Sequence, residues 1–437
     1  MKYILLTALA AVGFAHISVQ KSFADEDSSI LTREIAIARA IDVAPGLDAL
    51  RESVKAQSSA MRQAGVKPNP LLSTEVENFT GTGPFTGLGR SEITFTYNQR
   101  FERGGKRQSR MQVAGKEKQI AITQLQIQRL DIIRRTEQAF VGVLVAQAKL
   151  ENAVEQHKVF ENIHSAIKIR NDRGKDSKLA VQNARMRLLQ AQNQMVQSEQ
   201  SLAGAKQALA SLWQQPDAKF SVESSVLFAL PPHIAASETS KAATSPDLTL
   251  WQLRKARSAS TVALEKANAI QDPTVKIGLR YLQGTSDVAA IAGVSIPFAF
   301  HDTNSGNIGK AKANHRKSQF ELAEAERQLE RSILIQENKR VAAYVQAKQI
   351  ISELIPETEQ TKQMVLERLK RGAASYLDVF SAQSLAATIQ EQLLQVLEQY
   401  HLAQVELDRL TARHGLDATI FSDDTANGNM PHDGEGK

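Results

Sequence analysis

The 437-residue chain contains no cysteine, which excludes disulfides, thiolate metal sites and an N-terminal cysteine that could carry a lipid. Aromatic residues make up only 5% of it, which is little for the compact cores that a chain of this length normally builds. Beyond the N-terminal region there is no run of 18 apolar residues, so we expect no transmembrane helix. The formal charge of +6 is spread out rather than clustered, and a nucleic-acid partner is not indicated.

Residues 1–24 have the pattern of a secretory signal peptide. Lys2 supplies the positive start, and residues 3–15 form an apolar run that is too short to span a bilayer. The segment ends in Ser22-Phe23-Ala24, which is the small–x–small pattern of a cleavage site. We therefore expect an exported protein that is not a lipoprotein.

A turn motif occurs twice in the chain. Arg173-Gly174-Lys175-Asp176-Ser177 returns as Arg371-Gly372-Ala373-Ala374-Ser375, and the glycine offset is 372 − 174 = 198 residues. Each copy lies between two long helical stretches and follows a pair of alternating segments, so we predict an internal duplication. The expected parts are a first repeat at 25–213, a linker or equatorial region at 214–246, a second repeat at 247–413 and a disordered polar tail at 414–437.

Each predicted repeat contains a helix, a β-hairpin and a long helical hairpin. The β-hairpins are expected at about 70–101 and 273–300, and the helical hairpins at about 104–213 and 311–413. Their strands alternate between a polar and an apolar face. The charged residues of the polar face are Glu75, Glu77, Glu92, Lys276 and Arg280. The apolar face carries Ile93, Phe95, Tyr97, Val275, Ile277, Leu279 and Tyr281.

Four strands of about ten residues would suit a tilted membrane-spanning sheet. Lipid cannot satisfy unpaired backbone groups at the sheet edges, and four strands cannot close on themselves. Two chains would give eight strands with a filled interior, whereas three would give twelve with room for water. A trimer whose polar faces line a lumen and whose apolar faces contact lipid is the simplest solution. Alternation alone also fits two ordinary hairpins of a soluble sheet packed on the helices.

Several motifs match one family. They are Pro68-Asn69-Pro70, Gln99-Arg100-Phe101-Glu102-Arg103-Gly104-Gly105-Lys106-Arg107, Gly293-Val294-Ser295-Ile296-Pro297 with Gly306, and Arg371-Gly372 with Ser375-Tyr376-Leu377-Asp378-Val379. With these motifs the chain resembles TolC-like outer membrane efflux proteins, and within them the CzcC-type branch attached to heavy-metal pumps. The resemblance implies a mixed α/β, mainly α fold: a trimeric twelve-stranded barrel in the outer membrane of a Gram-negative cell, continued by a periplasmic helical tunnel. It also implies docking to a periplasmic adaptor and an RND-type inner-membrane pump.

The same resemblance assigns the two turns to the periplasmic tips that contact the adaptor and line the aperture. The residues concerned are Arg173, Gly174, Ser177, Arg371, Gly372 and Ser375. Turn chemistry is the alternative, because glycine after a helix, serine at an N-cap and arginine at a helix C-terminus all stabilise turns locally. Asp378 aligns with an aspartate that narrows the family's tunnel entrance, although Ser375-x-x-Asp378 is also close to a capping box. The family's prototype has a second aspartate where this chain has Ser381, so cation selectivity should be weaker.

Three classes of function compete. The first is a passive exit duct for heavy-metal cations of the cobalt, zinc and cadmium type, and the same architecture would serve drug efflux or type I secretion. The second is a periplasmic coiled-coil scaffold, which steady heptads would favour and the irregular, alanine-rich spacing does not. The third is an enzyme, for which no Ser–His–Asp order, metal-ligand spacing or phosphate loop is found. We therefore expect no catalytic activity and no cofactor. We also expect no metal site, since His157, His164 and His432 fit solvated positions.

Overall fold

A computed structural model describes residues 30–215, 218–234, 245–371 and 373–414. The signal-peptide prediction, Gly372 and the tail from 415 onward lie outside these residues. The described chain is mainly helical and contains one small antiparallel sheet. Its elements are α1 (Arg33–Asp42), α2 (Pro45–Ala64), β1 (Leu71–Glu77), β2 (Glu92–Arg100), α3 (Lys106–Asp172), α4 (Lys178–Ser211), α5 (Pro246–Asn268), β3 (Thr274–Leu282), β4 (Asp287–Ser295), α6 (Ser305–Gln349), α7 (Ile355–Lys370) and α8 (Tyr376–Leu410).

The four strands form a single sheet in the order β1-β2-β3-β4, with every neighbouring pair antiparallel. The central pair joins β2 to β3, although a long helical hairpin separates them in the chain. Among the described strands, β1 and β4 are each paired on one side only. Two rows of backbone N–H and C=O groups are therefore left open at the edges of the sheet.

Two element boundaries differ from the sequence-based expectation. β4 ends at Ser295, short of residue 300, because Pro297 has no N–H to continue the ladder. α6 begins at Ser305 rather than near 311, so Gly306 and Gly309 lie inside the helix instead of before it. The side-chain amide of Asn304 donates to the Glu265 backbone carbonyl (2.8 Å) and carboxylate (2.9 Å). These bonds hold the first turn of α6 against α5 despite the two glycines.

The helices pack around the middle of α3, whose 67 residues extend about 100 Å at 1.5 Å per residue. α4 runs back along it, and α5 and α8 pack on other faces. The main core combines α3, α4, α6 and α8 with the segment 218–234, which lies across them. Its fully buried side chains include Val143, Leu209, Leu227 and Leu397. None of the described helices carries an apolar stretch long enough to traverse a bilayer.

A π-helical turn, Ile350–Leu354, connects α6 to α7 just ahead of Pro356. A proline in a helix lacks the N–H that would bond four residues back, and its ring crowds that carbonyl. The wider turn accommodates this defect, because the N–H of Ile355 bonds the carbonyl of Ile350, five residues back. Pro356 is thus preceded by a wider turn, and the helix continues into α7.

Gly278 provides a test of the sheet register. A Cβ at this position would lie 2.3 Å from the Phe95 carbonyl oxygen and 2.7 Å from Thr96 Cγ2. We expect Gly278→Ala to destabilise the sheet by about 1–3 kcal/mol, the usual cost of overpacking. The measurement is thermal unfolding of the purified protein followed by circular dichroism.

Gly293→Ala is the matched control, because Gly293 lies directly opposite Lys276 on β4 and nothing lies within 4 Å of its added Cβ. It should unfold like the wild type. Equal unfolding temperatures for the two variants would show that the pairing of β2 with β3 at Gly278 is incorrect.

Candidate functional site

The register brings the five predicted polar residues to one face of the sheet. Glu75, Glu77 and Glu92 share it with Lys276 and Arg280, because Glu77 pairs with Glu92 and Thr94 pairs with both Glu75 and Arg280. Lys276 lies opposite Asn98 on the same face. The alternation predicted from the sequence therefore persists across three strands.

Arg280 is the centre of this polar face. Its guanidinium donates to the Glu92 carboxylate (2.8 Å), to the Glu77 carboxylate (3.0 Å) and to the Thr94 hydroxyl (3.0 Å). Glu77 and Glu92 lie directly opposite each other, and like charges in that position repel. Arg280 offsets the repulsion and links β1, β2 and β3 through their side chains.

The opposite face is apolar and largely open. The predicted residues Ile93, Phe95, Tyr97, Val275, Ile277, Leu279 and Tyr281 all lie on it, in register with Leu72, Val288 and Val294. Phe95, Leu279 and Val294 expose 58%, 57% and 66% of their surface. None of the described helices packs against it. A continuous exposed apolar face of this kind marks a surface that contacts another protein or a membrane.

The segment Gln99 to Arg107, noted from sequence only as a family motif, forms the joint between sheet and helices. Lys106 pairs with Asp272 (2.8 Å), and the backbone N–H of Arg103 donates to the same carboxylate (2.9 Å). Gly104 has φ +69°, and a Cβ there would lie 2.5 Å from Ile270 Cδ1. These contacts join the end of β2 and the start of α3 to the α5–β3 connection.

A second ion pair completes this joint. Arg110 of α3 binds the Glu102 carboxylate through both terminal nitrogens and also donates to the backbone carbonyl of Ala64 (3.4 Å) at the end of α2. The hydrogen bond from Arg110 lowers the pKa of Glu102 below its usual range, so the pair is ionised at neutral pH. Sheet and helices are thus connected through charged side chains as well as through the backbone.

The turn between α3 and α4 is a Schellman motif. Gly174 has φ +73° and donates to the Asn171 carbonyl (2.8 Å), while Lys175 donates to the Arg170 carbonyl (2.9 Å). Ser177 caps α4 by accepting from the N–H of Ala180 (3.2 Å). Gly174 and Ser177 thus both take part in the hydrogen bonds of the turn itself, and Arg173 occupies the helix C-cap.

The turn between α7 and α8 repeats one hydrogen bond and the serine cap of the first turn. Ala373 donates to the Arg368 carbonyl (2.9 Å), which corresponds to the bond from Lys175 to Arg170. Ser375 and Asp378 form a complete capping box: the Asp378 carboxylate accepts from the Ser375 N–H (2.8 Å) and hydroxyl (2.9 Å). These hydrogen bonds lower the pKa of Asp378 and keep the exposed carboxylate charged.

The two turns lie side by side. The Arg170 guanidinium lies 5.5 Å from the centre of the Tyr376 ring and binds Asp176 at 2.8 Å. Deeper in the hairpins, Phe160 and Phe380 pack with ring centres 6.2 Å apart. The sequence motifs do not predict the contacts of Arg170 with Asp176 and Tyr376. The one available signal was an arginine and an aspartate on either side of a glycine turn, which is too common to be diagnostic.

The candidate histidines do not form a metal site within the described ranges. His157 and His164 lie on α3, partly exposed, and His432 is outside the described residues. No group of three or more histidine, aspartate or glutamate side chains there is placed to hold a metal ion.

Comparison with known proteins shows what the chain is similar to. Residues 36–214 match the model described as outer membrane efflux protein. The chain is 28% identical over 392 residues to the cobalt-zinc-cadmium resistance protein CzcC of Cupriavidus metallidurans, covering 90% of this chain and 92% of the relative. The nickel and cobalt resistance protein CnrC of the same organism is 27% identical over 278 residues, or 62% of this chain and 65% of CnrC. The resemblance predicted from the motifs is confirmed.

Solved structures of outer membrane channels share the fold. VceC of Vibrio cholerae superposes with a TM-score of 0.68 at 18% identity, covering 87% of this chain and 95% of VceC. CusC, described as undergoing transmembrane channel formation, gives a TM-score of 0.70 at 14% identity, covering 88% and 93%. The predicted fold class is confirmed to this extent: a mainly helical chain with a small antiparallel sheet, as in TolC-like channels.

Proposed function

We propose that this protein is the outer membrane exit duct of a tripartite efflux system and exports heavy-metal cations. The observation that carries the proposal is the four-stranded sheet, which has an exposed apolar face, a charged face and two open edges. The long helical hairpins that continue from it would form the periplasmic part of the duct. An N-terminal signal peptide would direct export across the inner membrane, and transport would be passive, without catalysis or a cofactor.

The assembly we propose is a homotrimer. An edge strand left unpaired in lipid costs several kcal/mol for each unsatisfied backbone group. Pairing β4 of one chain with β1 of the next closes both edges, and three chains give twelve strands, enough for a water-filled lumen. In that barrel the face with Arg280 lines the lumen, and the face with Phe95 and Leu279 contacts lipid. The similar order of elements in the two halves supports an internal duplication.

The two turns are the proposed docking surface for a periplasmic adaptor, which would connect the duct to an RND-type pump in the inner membrane. They lie together at the end of the helical hairpins, furthest along α3 from the sheet. Arg173, Arg371 and Asp378 are exposed there. In a trimer, three copies of Asp378 would form a carboxylate ring at the entrance that attracts cations and repels anions.

The proposed substrates are cations of the cobalt, zinc and cadmium type, because CzcC matches over nearly the whole chain and CnrC is also a metal resistance protein. A drug-efflux or type I secretion duct is the alternative, since the same architecture would serve either. A periplasmic coiled-coil scaffold without a pore is the alternative from another class. The uncovered apolar face of the sheet favours a membrane protein over that scaffold.

Single-channel recording tests the duct. We expect the purified protein to run as a trimer in detergent and to give small, cation-preferring conductance steps in planar bilayers. Its mass should be measured in the same detergent. A water-soluble monomeric rod without conductance would exclude the barrel and leave the scaffold.

Asp378 can be tested apart from its capping role. Asp378→Asn should weaken the block of conductance by divalent cations added on the periplasmic side, because it removes the proposed ring charge. Ser375→Ala is the matched control: it weakens the helix cap by about 1 kcal/mol but leaves the carboxylate in place. If block by divalent cations is unchanged in Asp378→Asn over a full titration, Asp378 does not lie at the aperture.

The substrate class is tested in the native host. Deleting the gene should raise sensitivity to cobalt, zinc and cadmium salts, and the wild-type gene supplied from a plasmid should restore growth. Lipophilic drugs and detergents are tested on the same plates. Sensitivity to drugs alone would replace the metal assignment with the drug-efflux alternative.

A further inference from the structure

Both ends of the described chain meet at one buried carboxylate. Glu137, in the middle of α3, has a side chain that is 2% exposed. Its Oε1 lies 3.4 Å from an Nη1 of Arg33 at the start of α1 and 3.3 Å from Nε2 of His414, just after α8. A buried carboxylate is costly unless charged partners surround it, so both contacts bear on the stability of this region.

The neighbouring charged groups are paired among themselves. Asp408 of α8 accepts from Gln404 (2.8 Å) and from Arg413 (3.3 Å), and burial raises its pKa. His401, also on α8, contacts the carbonyl of Leu227 through Nε2 (2.8 Å), and burial lowers its pKa, so it stays neutral. His414 is the histidine in direct contact with Glu137.

The pKa of His414 is raised above its ordinary value, chiefly by its contact with Glu137 and against the effect of its partial burial. Protonated His414 supplies the second positive charge beside Glu137. When His414 is neutral, the exposed guanidinium of Arg33 remains as the cation at that oxygen.

We propose that Glu137, Arg33 and His414 form a pH-responsive clasp that holds the end of α8 and the residues after it against α3 and the N-terminal helix. The clasp is closed at mildly acidic pH and opens as the pH rises. A protein outside the cytoplasmic membrane is exposed to the pH of the medium, so such a clasp would respond to the surroundings of the cell. The inference concerns the helical part of the chain and is independent of the proposed transport function.

The direction of the pH response follows from the raised pKa of His414. A group whose pKa is higher in the folded state contributes its full stabilisation below the unfolded value, near 6.5 for histidine. The contribution is lost as the pH rises through the folded pKa. Each unit of pKa difference between the closed and open clasp changes the opening equilibrium by about tenfold.

The first measurement is the pKa of each histidine in the full-length, detergent-solubilised protein, from deuterium exchange at the imidazole C2 read by mass spectrometry. We expect the pKa of His414 to lie above the ordinary value of about 6.5 for histidine. A measured value at or below that ordinary value would overturn the proposal.

The second measurement is amide exchange of the peptide covering 405–414, in the wild type, His414→Gln and His414→Lys, always compared at equal pH. We expect the wild type to be protected like His414→Lys at pH 6 and to exchange like His414→Gln at pH 8.5. These variants leave Glu137 and Arg33 in place, so the buried carboxylate keeps one partner. If protection is the same in all three proteins at both pH values, the clasp does not exist.

Discussion

The open edges of β1 and β4 are the constraint on which the rest of the structure depends. Four strands with one exposed apolar face and one charged face cannot be stable alone in water or in lipid. In water the apolar face is uncovered, and in lipid the edge N–H and C=O groups are unsatisfied. A barrel closed with further copies of the chain and placed in lipid would resolve both problems, because its edges would be paired and its apolar face covered. The strand pattern thus supports the proposed oligomer, in which the helices would extend the lumen.

The proposed duct would need a firm connection between its sheet and its helices. Here the connection is electrostatic: Lys106 with Asp272, and Arg110 with Glu102. Both pairs involve carboxylates that are only 12% exposed, where an ion pair is screened less than at the surface. Gly104 also leaves no room for a side chain beside Ile270, so the strand and the helix approach each other closely at this joint.

Local patterns in the sequence predicted the features that depend on interactions between residues close together in the chain. Alternation gave the two faces of the sheet correctly, and the glycine and serine of the Arg173–Ser177 turn have the backbone roles expected of them. The start of α6 was predicted too late because Gly306 and Gly309 have low helix propensity. The contacts of Asn304 with α5 outweigh that propensity. Contacts between distant segments, such as Arg170 with Tyr376 or Glu137 with His414, leave no periodic trace in the sequence.

The two turns share a hydrogen bond, from Lys175 to Arg170 and from Ala373 to Arg368, but not a charge pattern. The first turn of α8 contains Asp378, whereas the first turn of α4 contains no acid and begins with Lys178, a cation at the end of the helix where cations are disfavoured. In a trimer, only three of the six helix starts would then present a carboxylate, and Ser381 adds no second ring one turn later. Attraction of cations at the entrance would be weak, so the choice of metal would be made by the pump before the cation reaches the duct.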